Sequence, residues 1–88
     1  MSRLHKLKTW GKVFQAVTTG RKTAEYRKND RNFKVGDALY LMEWDQENGK
    51  YMGRSVIVCV THIIKGGEFG IPKDYCVLSI KVVGALIE

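Results

Sequence analysis

Eighty-eight residues, 44% of them apolar and 27% charged, make one soluble-type domain spanning 1–88, with a modest core that argues against a deep multi-substrate active site. No apolar run approaches the roughly 20 residues that cross a bilayer, and the opening MSRLHKLKTWGK lacks the apolar stretch of an export signal; a cytoplasmic protein with no membrane partner is expected. The net charge of +6, from 15 Lys and Arg against 9 Asp and Glu, favours polyanionic partners, since each phosphate neutralised by a cation releases condensed counterions.

LHKLK, residues 4–8, is compatible with a short strand but too brief to decide. Residues 10–18 predict an amphipathic helix, with Trp10, Val13, Phe14 and Val17 on one apolar face. Thr9 reads as its N-cap, and Gly20 as the left-handed residue that ends it. Thr23 to Arg27 fits a strand with Ala24 and Tyr26 on one face and Thr23, Glu25 and Arg27 on the other. The stretch KNDRNFKVGD is a loop punctuated by Asn29-Asp30 and Gly36-Asp37. Ala38 to Trp44 is a strand, 45–49 a hairpin loop, and Tyr51 to Ile64 a long strand that must bend near Gly53. KGGEFGIP, 65–72, is a glycine-rich loop at the rim. It lacks the spacing of a phosphate-binding loop. Tyr75 to Val83 is the last strand, with Cys76, Leu78, Ile80 and Val82 facing one way. One helix followed by four or five strands, in a chain too short for two sheets, predicts a small α+β barrel, which also hides strand edges.

The charge is uneven. Between Arg21 and Lys34 stand six basic residues (Arg21, Lys22, Arg27, Lys28, Arg31, Lys34) and two acidic ones, Glu25 and Asp30. On a strand, Glu25 and Arg27 lie about 6.5–7 Å apart on one face, able to flank a ligand or to pair with each other. A carboxylate between cations suits a nucleobase: it accepts from an amino or imino edge, while Lys22 and Arg27 hold a phosphate or carbonyl. Asn29 adds an amide, and Trp44 and Tyr51 offer stacking planes. The plainer alternative is an ion-pair network fixing the helix–strand junction, with Trp44 as barrel-closing core. Tyr40 and Phe14 are assigned to the core. Glu43, on the face of Leu39 and Leu41, reads either as a second carboxylate of the cleft or, the commoner case, as a partner for Arg27 or Arg54. His5 and His62, with Cys59 and Cys76, give no zinc spacing, so no metal or other cofactor is expected; His62 reads as a half-buried strand residue and the cysteines as small core side chains.

Gly20-Arg21-Lys22-Thr23-Ala24-Glu25-Tyr26-Arg27 resembles the G-x-K-x-x-E-x-R signature of ASCH domains, members of the PUA-like superfamily. Further blocks are similar to a small bacterial and phage family of ASCH-like domains, DUF3850: His5-Lys6-Leu7-Lys8, Arg27-Lys28-Asn29-Asp30-Arg31, Phe33-Lys34-Val35-Gly36-Asp37, Glu43-Trp44-Asp45 and Tyr51-Met52-Gly53-Arg54. The resemblance implies a PUA-like (ASCH) barrel of about five strands with one N-terminal helix packed against it, and recognition of RNA or a modified nucleobase. The expected cleft lies between helix 10–18 and the barrel, lined by Lys22, Glu25, Arg27, Asn29 and Arg31, with Lys34 in the same basic segment and Trp44 and Arg54 further out. Some ASCH relatives are small amidohydrolases in which a lysine activates a threonine three residues later. Here that position holds Glu25, which removes the nucleophile; Thr23 is a candidate substitute one step away on the same strand face, and Lys22 and Glu25 are the residues left to any hydrolase. A protein-interaction module of phage origin is the remaining alternative, favoured by one contiguous exposed apolar patch in place of a basic cleft.

Overall fold

Alternation governs the chain from its first described residues. In the computed structural model, which describes residues 3–87, LHKLKTW forms β1 (Leu4–Trp10) with His5, Leu7 and Thr9 buried and the residues between them exposed. The period of two carries the strand two residues past LHKLK, up to the helix. Helix α1 (Gly11–Thr18) therefore begins one residue later than expected, and it buries Phe14 and Val17 while Val13 is half-buried. Thr9 is no N-cap. It is held in the ladder opposite Glu43, and Trp10 occupies the cap position with no side-chain hydrogen bond. Trp10 leaves the apolar face of the helix altogether and is half exposed. Gly20 does end the helix as expected, at φ +76° with its N–H bonded to the Val17 carbonyl.

The remaining strands are β2 (Ala24–Lys28), β3 (Ala38–Asp45), β4 (Lys50–Lys65) and β5 (Tyr75–Ile87). They form one five-stranded mixed sheet in the order β1-β3-β4-β5-β2. The pair β1–β3 is parallel and the rest are antiparallel, so the chain needs a long crossover between β1 and β3, which α1, β2 and the 29–37 loop supply. The sheet curls into a half-barrel around Leu7, Leu39, Leu41, Val56, Val58, Val60, Cys76, Leu78 and Ile80, and α1 adds Phe14 and Val17 to that core. The fold is thus α+β with one short helix, placed after the first strand.

Several side chains lie elsewhere than expected. Tyr40 is half-buried on the outer face, where its hydroxyl accepts from Ser55 Oγ at 3.1 Å. His62 is exposed. Val82 is also exposed, because the β4–β5 register shifts between Ile57 and Val58 and between Val60 and His62, and the strand runs past the core beyond Ile80. Cys76 is core, Cys59 is half-buried, and both are free thiols. The bend near Gly53 is present: that glycine sits at φ +88°, and the β3–β4 register breaks opposite it, between Met42 and Trp44.

The sheet's two edge strands approach each other without a ladder. Arg27 on β2 reaches across and donates from Nη2 to the Lys8 carbonyl of β1 at 3.0 Å. One guanidinium stands where a closed barrel would have a row of backbone bonds.

Candidate functional site

The inward face of β2 is polar because Glu25 and Arg27 alternate with the outward Ala24 and Tyr26. Glu25 is only 4% exposed, so its charge needs partners, and both carboxylate oxygens have one. Lys22 Nζ donates to Oε1 at 2.5 Å and Arg27 Nε to Oε2 at 2.8 Å. Lys22 also donates to the Ala24 carbonyl. Gly20, at the helix end, turns the chain so that Lys22 comes back over the first residues of β2.

Beside this cluster the unclosed side of the half-barrel opens as a groove of about 360 Å³, walled by Leu7, Glu25, Arg27, Arg31, Phe33 and Tyr75. Lys28 and Asp30 stand at its rim, and Tyr26 and Tyr75 stack beside it with ring centroids 5.1 Å apart and planes 18° from parallel. The groove thus lies between β1, β2, the loop after β2 and the start of β5, not under α1. Of the residues expected to line one cleft, Glu25, Arg27 and Arg31 come together here. Lys22 stands behind Glu25 as its counter-ion. The Asn29 side chain is spent on the loop, accepting from the Phe33 N–H at 3.1 Å, and Lys34 is exposed in a neighbouring depression with Asn29 and Val35.

The outer candidates form a second set. Arg54 holds the buried Glu43 bidentately, both contacts at 2.8 Å, and packs 5.3 Å above the Phe14 ring; hydrogen bonding to Glu43 and its charge raise the Arg54 pKa above the ordinary guanidinium value. The arginine partner expected for Glu43 is therefore Arg54. Trp44 is half-buried on the outer face, edge-on to Tyr51 at 4.8 Å and beneath the Lys8 ammonium at 3.9 Å.

Two features escaped the residue pattern. His5 and Asp37, both buried, meet at 2.9 Å, and since a carboxylate only accepts, the imidazole carries its proton at Nε2. Asp37 also accepts from the backbone N–H groups of Arg3 and Lys34, each at 3.0 Å. Burial pushes its pKa up, but the His5 hydrogen bond, the two backbone donors and the His5 charge together hold it below the usual value. This pair pins the 29–37 loop to β1, and the alternation of His5, Leu7 and Thr9 was the signal that would have found its inward half. The Thr9 hydroxyl is buried and, among the described residues, has no hydrogen-bond partner. No three His, Cys, Asp or Glu side chains gather as a metal site among the described residues. Burial, and then the Asp30 charge, push the Cys76 thiol up, away from thiolate chemistry.

Residues 4–80 match the family model described as "Domain of unknown function (DUF3850)". The chain belongs to the DUF3850 family. It is also 36% identical, over 87 residues, to a protein of Escherichia phage P2 described as "Uncharacterized 12.9 kDa protein in GpA 3'region", covering 99% of this chain and 75% of the phage protein. The family match spans β1 to the first part of β5, so it takes in both the groove and the Glu43–Arg54 pair. Among the described residues no helix is long and apolar enough to cross a membrane.

Proposed function

We propose that this DUF3850 domain is a PUA-like module that binds RNA or a nucleotide in the groove beside β2, in a cytoplasmic setting where such ligands are found. The observation that carries the proposal is the pairing of cations with an aromatic stack at one opening: Arg27, Lys28 and Arg31 beside the parallel rings of Tyr26 and Tyr75. A nucleotide needs both, a charge for its phosphate and a plane for its base. Glu25, with both oxygens committed to Lys22 and Arg27, serves as the buried counter-ion that aims Arg27, leaving Arg31 and Lys28 free to meet phosphate.

The small-hydrolase alternative draws no support from the same geometry. Lys22 Nζ is engaged as a donor to Glu25 and Ala24, whereas a general base needs a free lone pair. Thr23 is exposed, and its carbonyl accepts from Ile80 N–H.

The test is a thermal-shift screen of mononucleotides and short RNAs, on wild type and on Lys28→Ala and Arg31→Ala. Ligands that raise the wild-type Tm should lose most of that effect in the variants. The dependence of log affinity on log salt should flatten by about one unit for each phosphate contact removed. No response anywhere in the screen, or a response that both variants keep in full, overturns the proposal.

A further inference from the structure

The outer face of the sheet carries a row of aromatics that the groove does not use. The ladder places Trp10 opposite Trp44, and Trp44 opposite Tyr51, so three aromatic side chains occupy one row across three adjacent strands, each ~4.8 Å from the next. The bulge between Met42 and Trp44 brings Trp44 edge-on to Tyr51. Trp10 is 52% exposed and Tyr51 51%. In a domain of this size, such residues at the surface call for an occupant.

The charge on this face selects which one. The same alternation that exposes Trp10 exposes Lys6 and Lys8 in the rows beside it, and Lys8 Nζ already lies over the rings of Trp44 and Tyr51, at 3.9 and 5.9 Å. The adjacent Asp45 is turned into its own hairpin, where it accepts from the N–H groups of Glu47 and Asn48 and from the Asn48 amide. A second copy docked here about a two-fold axis would bring lysines onto lysines. A single-stranded nucleic acid satisfies both halves of the surface, with unpaired bases on the rings and phosphates on the lysines.

We infer that the row Trp10–Trp44–Tyr51 with Lys6 and Lys8 is a stacking platform for single-stranded nucleic acid, separate from the groove. The inference extends the nucleic-acid reading above but rests on different residues, so each can fail alone. On binding, a base replaces the Lys8 ammonium on the Trp44 ring. A surface cation–π contact is the weaker of the two interactions, and the freed ammonium gains a phosphate.

The chain's two tryptophans are Trp10 and Trp44, so tryptophan emission, excited to the red of tyrosine absorption, reports on this face and not on the groove's Tyr26 and Tyr75. Titrating an oligoadenylate RNA should quench it, and a short RNA duplex, whose bases are already stacked, should not. Trp10→Ala and Tyr51→Ala should each weaken oligoadenylate binding roughly fivefold or more, Trp10→Phe should restore most of the loss, and Lys8→Ala should lower the salt slope by about one unit. Trp10 and Tyr51 are exposed enough that these variants keep the wild-type circular dichroism. The platform is overturned if oligoadenylate binds by polarisation without changing the emission, or if the alanine variants bind like wild type. It is also overturned if sedimentation shows a dimer that Trp10→Ala dissolves. Quenching that survives Lys28→Ala and Arg31→Ala, with no mononucleotide bound, keeps the platform and removes the groove. Mononucleotide binding with unchanged emission under oligoadenylate does the reverse.

Discussion

Replacing Glu25 by Gln leaves the size of the side chain unchanged and removes its charge from the centre of the Lys22–Glu25–Arg27 cluster. The carboxylate is 4% exposed and makes one charge-assisted contact per oxygen. The amide keeps one acceptor and turns its NH2 toward a cation, so one bond is lost and the other has one charged partner in place of two. A hydrogen bond to a charged group contributes about 1.5–3 kcal/mol, and the surviving one falls toward the low end of that range. Lys22 and Arg27 retain partial access to water and recover some of that loss by turning outward, which leaves a net destabilisation of about 2–3 kcal/mol. For a domain of this length each kcal/mol moves Tm by about 4–8 °C, so the drop should be roughly 8–24 °C without ligand. Differential scanning fluorimetry of wild type, Glu25→Gln and Arg27→Gln reads it directly. Because Arg27 also joins β2 to β1 through the Lys8 carbonyl, Glu25→Gln should in addition raise amide exchange at the end of β1. A Tm within about 2 °C of wild type would refute the counter-ion role and return Glu25 to the ligand.

Asp37 has a folded pKa below its unfolded one, so its contribution is present above about pH 4 and is lost as pH falls through the folded value; Asp37→Asn should flatten the acid limb of Tm against pH there. Arg54→Met strands a buried Glu43 and should lower Tm more than the double variant Arg54→Met/Glu43→Met does, a coupling that a thermal double-mutant cycle measures. Gly66→Ala puts a Cβ 2.3 Å from the Pro72 carbonyl oxygen and 2.4 Å from that of Lys73 and should cost about 1–3 kcal/mol in urea unfolding. Gly84→Ala, with nothing within 4 Å, should stay within about 0.5 kcal/mol of wild type.

What could be read in the sequence was whatever local periodicity decides. Phe14 and Val17 stand out at helical spacing, β3 shows Leu39, Leu41 and Glu43 on one face, and a carboxylate on an apolar face announces a cation, found in Arg54. The misreadings fall where two local rules compete. Thr9 has the chemistry of an N-cap and the position of an inward strand residue, and the β1 ladder to β3 won, because burying a strand face involves more area than one capping bond offers. Trp10 followed Thr9, passing from the helix face to the outer sheet. Tyr40 is an aromatic in a strand, but the face it occupies is set by its odd offset from Leu39 and Leu41. The parallel pairing of β1 with β3 and the meeting of His5 with Asp37, 32 residues apart, depend on tertiary order, which no window along the chain contains.

The position of the groove follows from this topology. The sheet order leaves β1 and β2 as its two edges, and edges must be paired, covered or blunted by charge. Here β2 presents Glu25 and Arg27 inward, and one guanidinium bonded to the Lys8 carbonyl takes the place of a ladder. Arg27 then answers to two constraints. It must stay charged and extended to hold the edges together, and for that it needs the buried carboxylate of Glu25. In doing so it keeps the gap between β1 and β2 from closing, so a groove opens there over the buried Leu7, with Arg31 and Tyr26 exposed and Tyr75 half-buried along it. A barrel closed by backbone bonds would have no opening there. A fully apolar β2 face would leave no fixed cation beside it. The strand segment Glu25-Tyr26-Arg27 thus supplies the closure, the charge and one of the two stacked rings, and that is why the proposed nucleotide site is put on the incomplete side of the half-barrel.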